Sequence, residues 1–208
     1  MAGTKPTDAG KAILKAAEEL FLEKGFALSS TTEIARRVGC NQALVHYYFR
    51  TKENLFQEVF NAKATLFLSA FLQAGESEDS FEGRLRKRIE THYDMLVQNP
   101  KLPFLILNEL LTNPARLEAM KNKLGREAAG MFKGLQDEID AEITRGNIRA
   151  VSAMELLLMI VSLNVFPFIA APILGVLPGA TKAEFDRLIM EKRKLNADLV
   201  LNYLKTVP

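Results

Sequence analysis

Five side chains in one short stretch have the chemistry to read a base edge or hold a phosphate. The stretch is SSTTEIARRVGCNQALVHYYFRTK, Ser29 to Lys52, and the residues are Asn41, Gln42, Ala43, His46 and Tyr47. A glutamine amide offers an N–H donor beside a carbonyl acceptor, the complement of adenine's N7 and N6 edge, so Gln42 can pair with that base through two bonds. Asn41 can do the same or contact phosphate, and Ala43 permits close approach and can touch a thymine methyl. The surface they form is polar, aromatic and nearly free of acid, which suits a helix entering a DNA major groove.

Two short helices joined by a tight turn must position these residues. The hydroxyls from Ser29 to Thr32 offer an N-cap, because a side-chain oxygen can accept from backbone N–H groups that lack helical partners. Ile34, Ala35 and Val38 then recur at helical spacing and make a narrow buried face. Gly39 is the expected terminator, since glycine takes the left-handed conformation without a Cβ penalty. Asn41 caps the second helix, which runs to about Phe49 with Val45, Tyr48 and Phe49 pointing inward.

The helix before this stretch reads AILKAAEELFLEKGF, Ala12 to Phe26. Together, residues 12 to 56 resemble the DNA-binding domain of TetR-type (tetracycline-repressor-like) transcriptional regulators. That family's pattern is roughly IL-x-AA-x-x-LF-x-x-x-GF, then T-x-x-x-IA-x-x-x-G, then a short helix ending Y-x-YF-x-x-K. The resemblance implies an all-α fold, with a helix-turn-helix DNA-binding domain over residues 1–51 and a helical ligand-binding and dimerisation domain over 52–208. It places Gln42 at a base-reading position and Thr32 at another contact position on the preceding helix. His46 stands where the family has a phosphate-contacting tyrosine, and Thr31, Tyr47 and Lys52 are further phosphate candidates. One such helix reads only a few base pairs, so a two-fold homodimer on a pseudo-palindromic operator in double-stranded DNA is expected. The resemblance assigns its interface to the last two helices, as a four-helix bundle.

Composition is consistent with this reading. The chain has 208 residues and a net charge of +2, too small by itself to demand a polyanionic partner. Up to Lys52, however, eight Lys and Arg stand against five acids, a mild excess that favours DNA contact. The single cysteine, Cys40, excludes an intrachain disulfide and fits a reducing, cytoplasmic setting. The N-terminus lacks the apolar core of a signal peptide. The uncharged run Leu156 to Leu177 is long enough to cross a bilayer, but Ser162, Asn164, Pro167, Pro172 and Gly175 interrupt it, and we expect a buried helix and no membrane partner.

The remaining chain reads as helices with no period-two strand. They are expected over about Thr7–Lys24, Lys52–Ala74, Phe81–Gln98, Leu102–Leu111 and Pro114–Arg145. A further apolar helix begins at Ser152 and is kinked by Pro167, and a last one covers Lys182–Lys205. Their aromatic, sulfur and polar residues suggest a pocket for an unidentified small-molecule effector, with Phe67, Phe71, His92, Met95, Phe104, Asn108, Phe132, Met159 and Asn164 as candidate lining. A large apolar ligand is expected, because charge is sparse in the helices at 102–111 and 156–177. No catalytic arrangement, metal-ligand spacing or resident cofactor is apparent, so the protein is not expected to be an enzyme. The sequence therefore points to a transcriptional repressor released from DNA by ligand. The alternative is an effector-independent architectural or division-associated DNA-binding protein of the same fold.

Overall fold

The computed structural model describes residues 8–72, 74, 78–174, 176 and 181–205, without the side chains at 68, 70–72, 123, 124, 127 and 174. Thr7, Gly175, Leu177 and the Phe71 side chain, all named above, lie outside that set. The described residues form nine helices and no strand. They divide into two compact units, Met1–Thr65 and Leu66–Pro208.

In the first unit, α1 (Asp8–Leu28) carries a break at Gly25, whose φ of 75° and ψ of 175° are open to glycine and strained for other residues. The helical hydrogen bonding resumes past the expected stop, and the Ser29 hydroxyl donates to the Gly25 carbonyl at 2.7 Å. α2 (Thr31–Val38) starts where Ser30 Oγ accepts from the Glu33 N–H, and it ends at left-handed Gly39. α3 (Gln42–Phe49) begins at Asn41, whose Oδ1 accepts from the Leu44 N–H at 2.9 Å. α4 (Lys52–Leu72) follows a turn at Arg50 with φ 64°. The core joins Ile13, Ala17, Leu20 and Phe21 of α1 to Ile34, Val45, Leu55, Phe56 and Phe60, all buried. Phe56 stands edge-on to both Phe21 and Phe26, with ring centroids 4.8 and 4.9 Å apart. The first compact unit therefore includes the start of α4, as far as Thr65.

The second unit contains α5 (Phe81–Gln98), α6 (Leu102–Thr112), α7 (Pro114–Thr144), α8 (Ala153–Leu174) and α9 (Lys182–Leu204). Three of these starts carry a side-chain cap. Ser80 caps α5, Asn113 caps α7 ahead of Pro114, and Thr181 with Glu184 forms a reciprocal capping box on α9. α5 lies against α8 and α9, while α6 and α7 pack on each other and on α8. Leu85, Ile89, Leu135, Ile139, Leu156, Ile160, Val200 and Leu201 form the centre of the core. Ion pairs brace its margin: Glu138 takes Arg84 and Arg88, and Arg193 reaches Glu90 and Asp94 at 2.7 and 2.6 Å.

The apolar segment becomes α8, which is long and apolar enough to span a membrane by length and composition. Its buried side carries Leu156, Ile160, Asn164 and Val165, while Met154, Leu158, Val161, Phe166 and Ile173 are exposed. α8 remains helical through Pro167 and Pro172 rather than ending at either. Proline has no N–H, so Pro167 leaves the Leu163 carbonyl, four residues earlier, without its helical donor. Asn196 of α9 supplies that donor: its Nδ2 gives one hydrogen to Leu163 O at 3.0 Å and another to Asn164 Oδ1 at 3.0 Å. Replacing Asn196 by alanine strands the buried Asn164 Oδ1 and the part-buried Leu163 carbonyl and should cost about 1–3 kcal/mol. Urea unfolding measures this directly, and an unchanged midpoint would show that the two bonds do not hold α8 to α9.

Candidate nucleic-acid interface

α3 has two turns and one fully buried side chain, Val45. Asn41, Gln42, Ala43, His46 and Tyr47 are all exposed, as their outward spacing predicts. Tyr48 and Phe49, expected inward, are only half-buried. Tyr48 turns its ring against Tyr47 at 5.3 Å and Phe49 at 6.3 Å, so the aromatic end of α3 packs partly on itself.

Gln42 is held on both ends of its amide. Its Nε2 donates to Thr31 Oγ1 at 2.9 Å and lies 3.2 Å from His46 Nε2, and its Oε1 accepts from Thr32 Oγ1 at 3.2 Å. His46 Nδ1 sits 2.9 Å from the Arg50 carbonyl. A carbonyl only accepts, so Nδ1 carries a proton, and Nε2 is left to accept from Gln42. The same bond closes over Arg50, the one described non-glycine residue with positive φ.

Two expected phosphate contacts have other duties in this structure. Thr31 is buried at the start of α2, where its hydroxyl faces Gln42. Lys52 Nζ donates to the Phe26 and Ser29 carbonyls at 2.9 and 3.0 Å and lies 4.2 Å from the Phe26 ring centroid. The lysine thus ties the start of α4 to the link between α1 and α2. Thr32 and Tyr47 remain exposed beside α3's outer face, Tyr47 at 70%. Charge on α2 is partly cancelled: Glu33 pairs with Lys24 and Arg37, and Arg37 also with Glu23. The hydrogen bond from Lys24 holds the Glu33 carboxyl below its ordinary range. Arg36 and Arg50 are exposed cations that the residue pattern did not single out.

The candidate ligand residues in the second unit do not converge on one site. His92 and Asn164 are buried together, with Asn164 Nδ2 3.2 Å from His92 Nδ1 and 3.1 Å from the Ile89 carbonyl. Phe67 sets its ring edge against His92 at 5.4 Å. Met95 is buried on the same helix as His92. Phe132 and Met159 pack against the hydrophobic core, whereas Phe104 and Asn108 lie on the exposed side of α6 with Leu107 and Leu111. Periodicity missed two further buried polar features, Asn196 and the Glu109–Arg116 ion pair at 3.0 Å. Asn196 is detectable as an amide within the apolar register of Ile189, Ala197, Val200 and Leu204. Nothing in the residue spacing marks Arg116. An apolar cavity of about 280 Å³ opens elsewhere, between α8 and α9, walled by Leu163, Phe166, Pro167, Phe185 and Leu188. Among the described residues, no three His, Cys, Asp or Glu side chains gather as a metal site would require.

Comparison with known proteins places this geometry. Residues 13–59 match the family model for bacterial regulatory proteins of the tetR family. The fatty acid metabolism regulator protein of Bacillus subtilis is 23% identical over 134 residues, 64% of this chain and 66% of that protein. The HTH-type transcriptional regulator QacR of Staphylococcus aureus is 41% identical over 49 residues, 24% of this chain and 26% of QacR. With the activator FasR of Mycolicibacterium smegmatis included, the chain spans from 26% to 66% of the length of these curated relatives. The crystal structure of HlyIIR, a hemolysin II transcriptional regulator, superposes with a TM-score of 0.63 at 26% identity, covering 95% of this chain and 97% of HlyIIR.

His92 gives the second unit a measurable acid response. Burial pushes its imidazole down from the ordinary value of 6.5 to about 4. Between those values the unfolded chain binds a proton that the folded chain refuses, so stability should fall as pH drops from 6.5 to 4, by up to about 3 kcal/mol. His92→Gln should flatten that slope in urea midpoints measured across the window, whatever its stability at neutral pH. An undiminished slope would place the acid sensitivity in another group.

Proposed function

We propose that the chain, whose residues 13–59 match the tetR family model, is a TetR-type regulator acting as a cytoplasmic, homodimeric repressor. In this reading each protomer sets α3 into the major groove of one half of a pseudo-palindromic operator. The observation that carries it is the division of α3 itself, with Val45 alone buried and Asn41, Gln42, Ala43, His46 and Tyr47 turned outward together. A helix folded only for packing has no reason to leave that polar and aromatic face uncovered. Gln42 and Asn41 would supply base contacts, while Thr32, Tyr47 and the exposed Arg36 and Arg50 would face phosphate.

Dimerisation is supported by the outer faces of the last two helices. Leu158, Val161 and Phe166 of α8 and Leu188, Leu195, Leu199 and Tyr203 of α9 are exposed at helical spacing. An apolar surface of this kind, with a cavity between its two helices, suits an isologous partner whose side chains fill it. Release by a small apolar ligand is supported by the fatty acid metabolism in the name of the Bacillus relative. Such a ligand must bind the released shape more tightly than the DNA-bound one, because equal affinity shifts no population.

Leu195→Glu with Leu199→Glu should convert the dimer to a monomer in light scattering and weaken DNA binding at least about tenfold, since one half-site is lost. Binding of the wild-type protein should also weaken steeply from 50 to 200 mM salt. A double variant that stays dimeric would remove α9 from the interface, and salt-independent binding would remove the phosphate contacts.

A further inference from the structure

The Gln42 amide has two hydrogens and both are occupied. One goes to Thr31 Oγ1 at 2.9 Å and the other to His46 Nε2 at 3.2 Å, while Oε1 takes the Thr32 hydroxyl at 3.2 Å. The ring cannot change partner without losing the Arg50 carbonyl, which requires the proton on Nδ1. With Nδ1 donating to Arg50 and Nε2 accepting, the amide turned round would set its oxygen against another acceptor. The side chain therefore presents a single vacant function to the exterior, the second lone pair of Oε1.

A free glutamine reads adenine by accepting from N6 and donating to N7. Held as it is here, Gln42 keeps the acceptor and lacks the donor. We propose that His46 and Thr31 are specificity-determining positioning residues, which make Gln42 an acceptor alone. It then takes a base with an exocyclic amino group in the major groove, adenine or cytosine, without separating the two. Guanine and thymine present acceptors at that edge and are refused. The proposal rests on α3 being the base-reading helix. It also gives His46 a use of its own, because a phenol in its place has no ring nitrogen to accept from Gln42 while donating to Arg50.

The test is competitive binding of the full chain to its selected operator, carrying each of the four base pairs in turn at each half-site position. Gln42→Ala identifies the position by levelling its preference across the four bases. At that position the wild-type protein should bind adenine and cytosine within about threefold of each other, and guanine and thymine about tenfold more weakly. His46→Ala returns one hydrogen to Gln42, so adenine should gain about tenfold over cytosine there, with preferences elsewhere unchanged. Thr31→Val, nearly isosteric, should move the same ratio in the same direction through the other hydrogen. A wild-type protein that already favours adenine tenfold, or variants that keep adenine and cytosine level, would overturn the proposal. If Gln42→Ala levels no position at all, the assignment of Gln42 as a base reader falls first, and this inference falls with it.

Discussion

A two-turn helix that buries one side chain must be oriented by something other than its own packing, and the first unit is arranged around that constraint. Eight residues are too few to hold a helix in water, and Val45 alone supplies little apolar burial. Hydrogen bonds at both ends of α3 make up the difference. Asn41 closes the start, His46 bonds across the finish to the Arg50 carbonyl, and Gln42 reaches back to Thr31 and Thr32 of α2. Lys52, just beyond, fastens α4 to the carbonyls that end α1. The residues with the chemistry to read DNA are therefore also among those that fix the helix carrying them.

The second unit solves the reverse problem. Its helices have ample apolar surface, and what needs managing is the polar backbone within it. Pro167 would leave a bare carbonyl in the core of α8, and Asn196 answers it from α9 while also meeting Asn164, which in turn meets His92 and Ile89 on α5. Three helices are thus registered by a short chain of amides and one imidazole. A packed apolar interface tolerates sliding, whereas buried hydrogen bonds do not, because each broken one leaves an unsatisfied group. The arrangement fixes α8 against α9.

Much of this was legible in the residues, and the failures share a cause. Caps and terminators act through local backbone chemistry, so Asn41 and Gly39 could be placed from sequence, as could the ends of α5, α6 and α7. Exposure of the outer side of α3 followed from helical spacing. Spacing does not say what a side chain meets across the fold. Lys52 and Thr31 have the chemistry of phosphate ligands and also bond within the protein, to the Phe26 and Ser29 carbonyls and to Gln42. The candidate ligand residues were grouped by type, and the fold scatters them: Asn164 is in the core while Phe104 and Asn108 are on an open face of α6.

Selection of bound fragments from a random pool of duplex DNA tests the central claim most directly, because it asks whether α3 reads sequence and whether two copies read together. The account predicts enrichment of a short motif repeated in inverted orientation, with half-site centres about one helical turn or a multiple apart. Enrichment of a lone, unrepeated motif, or none above the starting pool, would contradict it.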